Sequence, residues 1–243
     1  MRLIYSFLLL YSLAWALPTD VDTEFNTEFS NEKEEALFDP LSGYNDAMTS
    51  FNDGFYEYLL KPVSQGYAYV IPKPARESID NVIDNLLFPV RFINNVLQFK
   101  FQNGFEELGR FVINSTLGIA GIMDVAKDEF GLKKHDEDFG QTLGFYGVGS
   151  GFHIVLPFLG PSNVRDIVGL IGDTWASPLS YIEERNMNLL DSSDEEWGIR
   201  GLRVINFTSL HSDEYDALKK DAIDLYPFIR SFYESRRTKL ISE

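Results

Sequence analysis

The sequence predicts a single all-α domain, and three observations predict it. From Asp39 onward the apolar residues recur at the three- and four-residue spacing of amphipathic helices. Prolines stand where one such stretch must stop and the next begin. No internal repeat divides the chain. The 243 residues are 44% hydrophobic and 24% charged, with 18 glycines and 10 prolines, which is the composition of a folded protein.

Taken in order, Tyr44, Met48, Phe51, Phe55 and Tyr58 form one aromatic stripe along a helix that Pro62 ends. Pro72 and Pro74 open a second helix, whose buried face is Ile79, Val82, Ile83 and Leu86 and which Pro89 interrupts. Phe92, Ile93, Val96 and Leu97 continue the period, followed by Phe105, Leu108, Phe111 and Val112. Each of these stripes reads as core. The segment from His153 to Phe158 is at most an edge strand or an extended crossing, because Pro157 cannot donate to a ladder. Helical period returns with Val164, Ile167, Val168 and Ile171 after Pro161-Ser162, and again over residues 179–190. Residues 197–207 are densely apolar without a clear period. A last helix starts at Ser212 as cap, buries Tyr215, Leu218, Ala222, Leu225, Tyr226 and Ile229, and ends near Arg230, Arg236 and Arg237, where cations suit the C-terminal dipole.

The N-terminus reads differently. Arg2, the apolar run at residues 3–13 and the triplet Ala14-Trp15-Ala16 match a charged n-region, a short h-region and a small-x-small cleavage site, so residues 1–16 read as a secretory signal peptide. The run is shorter than the roughly 20 apolar residues of a spanning helix; a buried helix or an uncleaved anchor is the alternative. Residues 17–38 form an acidic flexible leader. Over residues 19–39, Asp20, Asp22, Glu24, Glu28, Glu32, Glu34, Glu35 and Asp39 face one base, Lys33, so this stretch repels itself and has little apolar surface to bury. It is either a solvated tether or an arm that docks through Phe25, Phe29 and Phe38. Residues 39–240 remain as the helical domain.

Charge and composition exclude several classes of function. The formal net charge of −16 repels a polyphosphate backbone, which argues against nucleic acid. With no cysteine there are no disulfides, thiolate zinc sites, iron–sulfur clusters or cysteine nucleophiles. His135 beside Asp136, Glu137 and Asp138 reads as a solvated helix start, with a cation site or an acid–base pair as the sharper alternative. His153 and His211 lack the partner at four-residue spacing that a two-histidine metal site uses. No glycine-flanked nucleophile elbow is present, so the residues nominate no enzyme, no metal and no cofactor. Asn114-Ser115-Thr116 and Asn206-Phe207-Thr208 are formal glycosylation acceptors.

Two glycine-bearing segments stand out. Gly118-Ile119-Ala120-Gly121-Ile122-Met123 is apolar and uncharged, too short for a helix of its own, and reads as a hydrophobic hairpin or turn that is either buried or touches lipid. Gly140, Gly144, Gly147, Gly149 and Gly151 fail the dinucleotide fingerprint at Phe152, so a nucleotide site is rejected.

The order of the unusual segments resembles the MlaA (VacJ) family. DPLSGYN at residues 39–45, KPVSQGYAYVIPKPAR at 61–76, GRFVINSTLGIAGIMDVA at 109–126, DFGQTLGFYGVGSG at 138–151, LPFLGPSNVRD at 156–166 and SFYESRR at 231–237 carry the likeness over residues 39–237. The resemblance implies a ring-like platform of amphipathic helices with a central channel, lying in the inner leaflet of a Gram-negative outer membrane. It implies intermembrane phospholipid transport: mislocalised phospholipid is removed from the outer leaflet, so that the bilayer stays asymmetric. The implied partners are phospholipids, a trimeric outer-membrane porin, and a periplasmic lipid carrier that feeds an ABC transporter with an MCE-domain subunit.

By the same resemblance, Gly118, Ile119, Ala120, Gly121, Ile122 and Met123, closed by Asp124, are expected to form the hairpin of the lipid channel, with the glycines as hinges. Phe51 and Asn52 are expected to brace that hairpin. Arg110 and Asn114 either contact a lipid headgroup or satisfy neighbouring carboxylates, as a structural salt bridge would. The chain departs from the family in one respect. Members are lipoproteins with a cysteine after the signal, whereas here Leu17-Pro18 follows Ala16, so the expected location is the periplasmic side of the outer membrane without a lipid anchor. The alternative is a soluble periplasmic scaffold or interaction protein that kept the fold without membrane insertion.

Overall fold

The computed structural model describes residues 39–178 and 193–243, with side chains from residue 201 onward in the second stretch. The expected signal peptide, acidic leader and helical period over 179–190 lie outside the described residues. Helix α1 (Ser42–Phe55) starts where Asp39 accepts a hydrogen bond from the Leu41 N–H at 3.1 Å. It runs without interruption through a π-helical turn (Tyr56–Leu60) into α2 (Lys61–Val70). Pro62 therefore does not end the helix, contrary to expectation. The turn before it widens so that the Lys61 N–H reaches back five residues to Tyr56 O, which accommodates a ring that would clash in a regular helix.

The later prolines act as expected. Pro72, in an extended conformation, leads into α3 (Lys73–Leu86), and Pro89 sits in the first turn of α4 (Phe88–Leu97). Helix α5 (Phe101–Thr116) packs along α4 and leads through the apolar loop into the short α6 (Val125–Asp128), which Asp124 caps. Asp138 caps α7 (Phe139–Phe145) by accepting from Gln141 N at 2.7 Å. Two short strands follow, β1 (His153–Leu156) and β2 (Gly160–Asn163), paired antiparallel from His153 opposite Asn163 to Leu156 opposite Gly160. The fold is thus mostly helical with one added β-hairpin, whose turn contains Pro157. Its second strand is made of Gly160-Pro161-Ser162-Asn163, residues without strand propensity.

Asn163 caps α8 (Val164–Ala176) through a 2.9 Å bond to Asp166 N. Helix α9 (Ser193–Asp221) passes straight through Ser212, which caps nothing, and covers the segment whose period was ambiguous. The break falls instead before α10 (Leu225–Ser242). Helices α7 and α8 pack tightly together, as do α2 and α9.

The largest departure from expectation is the direction in which the helices face. In α4 the buried residues are Val90, Arg91, Asn94 and Asn95, while Ile93 and Leu97 are exposed. In α5, Gly104, Glu107, Arg110 and Asn114 are buried, and Phe105, Leu108 and Val112 face outward. Helix α8 buries Arg165, Asp166, Gly169 and Asp173 and exposes Val168, Ile171 and Trp175. In α3 the expected face of Ile79, Val82, Ile83 and Leu86 is half-buried, and Arg76 and Asn85 are the residues fully covered. Tyr44, Phe51 and Tyr58 of the first stripe are likewise exposed. Reading these stripes as core is therefore corrected. Helical periodicity shows that one face is apolar but says nothing of what that face meets. Asn114 and Asn206 are themselves buried and hydrogen-bonded, so in this fold neither is an open glycosylation acceptor.

Close approach of α7 and α8 depends on two glycines. A Cβ on Gly169 would run into the backbone of Gly140, 2.6 Å from its Cα. Gly169→Ala is expected to lower unfolding free energy by about 3 kcal/mol, the upper part of the usual overpacking range, measured as a fall in the urea midpoint.

Candidate functional site

Polar groups in the interior are paired with one another. Arg91 Nε donates to Glu107 Oε2 at 2.6 Å, and its Nη1 lies 3.3 Å from Asp84 Oδ1. Lys134 Nζ stands 2.8 Å from the same Asp84 oxygen. Burial opposes the charge on Asp84, but Arg91 and Lys134 outweigh it and hold the carboxyl down at about 2. The remaining Glu107 oxygen accepts from the His135 N–H at 2.7 Å.

The acidic run after His135 is not a solvated helix start. Glu137 is drawn inward by Lys100 at 2.6 Å and Gln98 at 2.7 Å. Asp138 is paired with Arg237 of α10, which also reaches Asp166 at 2.8 Å. Burial works against ionisation of Asp138, and the Arg237 guanidinium overcomes it, so this carboxyl sits below the usual range. Asp173, buried and close to Asp138, is pushed well above it.

The loop after α5 is held over this interior. Ile119 and Ala120 both have left-handed backbone, at φ 54° and 58°, and Gly121 has φ 91°. A β-branched residue in that region carries strain on the order of 1–3 kcal/mol, and amides hold it there. Asn81 Nδ2 donates to Ile122 O at 3.2 Å, and Asn85 Nδ2 to Ser115 Oγ at 3.0 Å. A Cβ on Gly121 would meet Asn85, and one on Gly118 would meet the Asn114 and Met123 carbonyls. Arg110 binds Asp124 at 2.8 Å and Leu132 O at 2.6 Å, and Asn114 binds Asp124 at 2.8 Å. Ile119, Ile122 and Met123 point outward.

A separate large groove, open to solvent, lies between α1, the β-hairpin, α8, α9 and α10. Its walls are mainly apolar and aromatic: Phe55, Phe158, Leu159, Phe207, Phe228 and Phe232 among them. Helix α1 holds the hairpin against it with two asparagines. Asn45 donates to His153 O at 3.1 Å and accepts from Val155 N at 2.8 Å. Asn52, seven residues on, donates to Leu156 O at 2.9 Å and accepts from Phe158 N at 2.7 Å. Phe158, at φ 64°, is further wedged edge-on between Phe51 and Phe55.

The chain is similar to known proteins. The sequence profile of the family described as MlaA lipoprotein matches residues 37–240. The chain belongs to the MlaA family. It is similar to the "Intermembrane phospholipid transport system lipoprotein MlaA" of Escherichia coli (strain K12), at 31% identity over 210 residues, covering 85% of this chain and 80% of that protein. A protein of the same name from Haemophilus influenzae is 34% identical over 137 residues, 56% of this chain and 55% of its own length. An uncharacterised protein of Rickettsia bellii is 30% identical over 202 residues, covering 83% and 76% respectively. A solved structure, described as "Structural basis for maintenance of bacterial outer membrane lipid asymmetry", matches with TM-score 0.69 and 32% identity over 84% of this chain and 99% of its own.

Within the MlaA framework the outward-facing residues acquire a pattern. Phe99, Phe101, Phe105, Phe145 and Tyr146 cluster around α4, α5 and α7, with Trp175 on α8 and Tyr58 and Tyr69 on the π-turn and α2. Among the described residues no helix is long and apolar enough to cross a membrane.

The residues singled out in the sequence fall into two places. Gly118 to Asp124, Arg110 and Asn114 come together around the left-handed loop, and none of them lines the large groove. Phe51 and Asn52 do not brace that loop; they brace the β-hairpin turn, because α1 runs beside β1. Arg110 and Asn114 are occupied by Asp124, which is the salt-bridge alternative. Sequence reasoning missed Asn45, Asn81, Asn85, Phe158 and the groove walls of α9 and α10. Asn45 and Asn52, at heptad spacing on one helix face, were the available signal.

Two outcomes follow from this geometry. Asp84 is held at about 2, below its unfolded value of about 3.9, so its stabilisation is present above the unfolded value and lost as pH falls towards 2. Asp138 is shifted in the same direction. The urea midpoint should therefore drop steeply between about pH 4 and pH 2, and Asp84→Asn should flatten the slope. Asn52→Ala should leave the helices intact while hydrogen exchange of the Phe158 amide accelerates by roughly tenfold, the loss of about one net hydrogen bond.

Proposed function

We propose that the chain conducts phospholipid between the outer membrane and the periplasm, with the large groove as the lipid's path and the outward apolar faces seated in the inner leaflet. The observation that carries this reading is the groove. It opens to solvent and its walls are mainly apolar and aromatic, with Phe55, Phe158, Phe207, Phe228 and Phe232 among them, which suits the acyl chains of a lipid.

A shielded path answers a physical need. At ~0.8 kcal/mol per methylene, two acyl chains with about 30 methylenes cost roughly 24 kcal/mol to expose fully. A groove with one greasy wall and polar ends lets chains and headgroup travel in their own surroundings. The chemistry is transfer without bond breakage. Helices that lie in the interface and satisfy their own backbone groups need not span.

The inward polar face supports the seat in the membrane. Exposed Phe105, Leu108, Val112 and Trp175 are favourable against acyl chains and costly against water, which tells against the soluble scaffold. The relatives named as components of an intermembrane phospholipid transport system support phospholipid transport; in this reading misplaced outer-leaflet lipid is taken up beside a trimeric porin and passed to a periplasmic carrier serving an MCE-domain ABC transporter. No cysteine occurs among the 243 residues. Retention at the membrane then falls to the apolar faces and an integral partner. The N-terminal segment serves export.

Fractionation of cells expressing the full chain tests the seat: it should sediment with outer membranes and resist carbonate washing. Recovery in the soluble periplasm would sink the membrane reading. The path is tested by lipid transfer from vesicles containing the chain, which Leu159→Trp, placing a bulky ring in the groove wall, should slow several-fold.

A further inference from the structure

One end of the groove is rich in acceptors. Asp136, Asp138, Asp166 and Asp173 line it together with Arg236 and Arg237. With Lys134 standing 3.1 Å from Asp136, four carboxyl groups there meet three cations. The cations are already engaged: Arg237 reaches Asp138 and Asp166, each at 2.8 Å, and Arg236 faces Asp136 and Asp138. A further wall cation, Lys219, is held by Asp53 at 2.7 Å and Glu57 at 3.3 Å. A phosphate or other anion entering the groove thus meets cations that face carboxylates, inside a chain of net charge −16.

Gln141 lies at the same end and is 1% exposed. Its Nε2 donates to Asp136 O at 3.2 Å and to Asp138 Oδ2 at 3.3 Å, which fixes the orientation of the amide. Its Oε1 is buried and receives no hydrogen bond. A buried acceptor without a donor is costly, and it asks for a group that brings N–H or O–H.

We propose that this end of the groove is a subsite for a primary ammonium group, with Gln141 Oε1 and the Asp136 carboxylate as its acceptors, so that the groove favours ethanolamine phospholipid over anionic phospholipid. An ammonium supplies three donors and accepts nothing, which matches what the wall offers. A choline headgroup carries the charge without N–H donors. A glycerol headgroup leaves the lipid with net negative charge. Asp136 already has a partner in Lys134 at 3.1 Å, so the incoming ammonium shares that carboxylate. The inference rests on the groove being a phospholipid path.

The full chain in vesicles is given acyl-labelled phosphatidylethanolamine, phosphatidylcholine or phosphatidylglycerol, and transfer to acceptor vesicles is followed. Ethanolamine lipid should move about tenfold faster than glycerol lipid, the worth of roughly one charge-assisted hydrogen bond, with choline lipid between them. Gln141→Met, which removes the acceptor at similar volume, should narrow the ethanolamine-to-choline ratio. Asp136→Asn should raise glycerol-lipid transfer relative to ethanolamine lipid, and it carries the test should Gln141→Met fail to fold, judged by thermal melting. An unchanged ratio in folded Asp136→Asn overturns the subsite. Equal transfer of all three lipids by the unaltered chain also overturns it while leaving the path standing, whereas no transfer of any lipid overturns both.

Discussion

Turning polar side chains inward obliges the protein to satisfy them from within. The pair Arg91–Glu107, at 2.6 Å and with both side chains nearly sealed from solvent, is where that obligation is greatest. A buried charge whose partner is removed costs several kcal/mol, so α4 and α5 must keep their register. Asp84 and Lys134 extend the pair towards α3 and the segment before α7, and the His135 N–H closes the free Glu107 oxygen. The second charged centre, Arg237 with Asp138 and Asp166, ties α10 to α7 and α8. Hydrophobic burial, the usual source of cohesion, is weak here because so much apolar surface points out. Directional contacts take over the task of specifying one arrangement.

Much of the helix inventory was legible. Pro72 and Pro74 marked a start and Pro89 a break that the structure keeps, and the period after Pro161 located α8. Pro62 misled because a π-turn can absorb a ring, and no local signal announces one. Ser212 has the chemistry of a cap yet sits inside α9, where packing against α2 overrides propensity. The hairpin's second strand was invisible because glycine and proline compose half of it. The sense of the stripes was not readable at all. Ile93, Leu97, Phe105 and Leu108 obey the same spacing whether they meet a protein core or a bilayer.

The candidate site was legible in parts. The glycines at 118 and 121 stood out, and the structure gives each a reason in close packing against Asn114 and Asn85. Their position relative to the groove was not readable, since that depends on how α5, α8, α9 and α10 assemble across long separations in sequence. Phe51 and Asn52 were correctly singled out and wrongly paired: Asn52 spans 104 residues to reach Leu156, a distance that no local pattern encodes. Gln141 was overlooked because an amide in a glycine-rich stretch resembles solvated surface, and only its two bonds to residues 136 and 138 reveal an oxygen left over.

Asn45 also bears on how the protein behaves in company. A two-stranded hairpin presents its outer backbone edge to anything that passes, and open edges template polymerisation between copies. The Asn45 amide occupies the His153 carbonyl and the Val155 N–H at once, as a neighbouring strand would. A helix side chain thereby denies the outer side of β1 to a foreign strand, which matters most for a protein so rich in exposed aromatic residues.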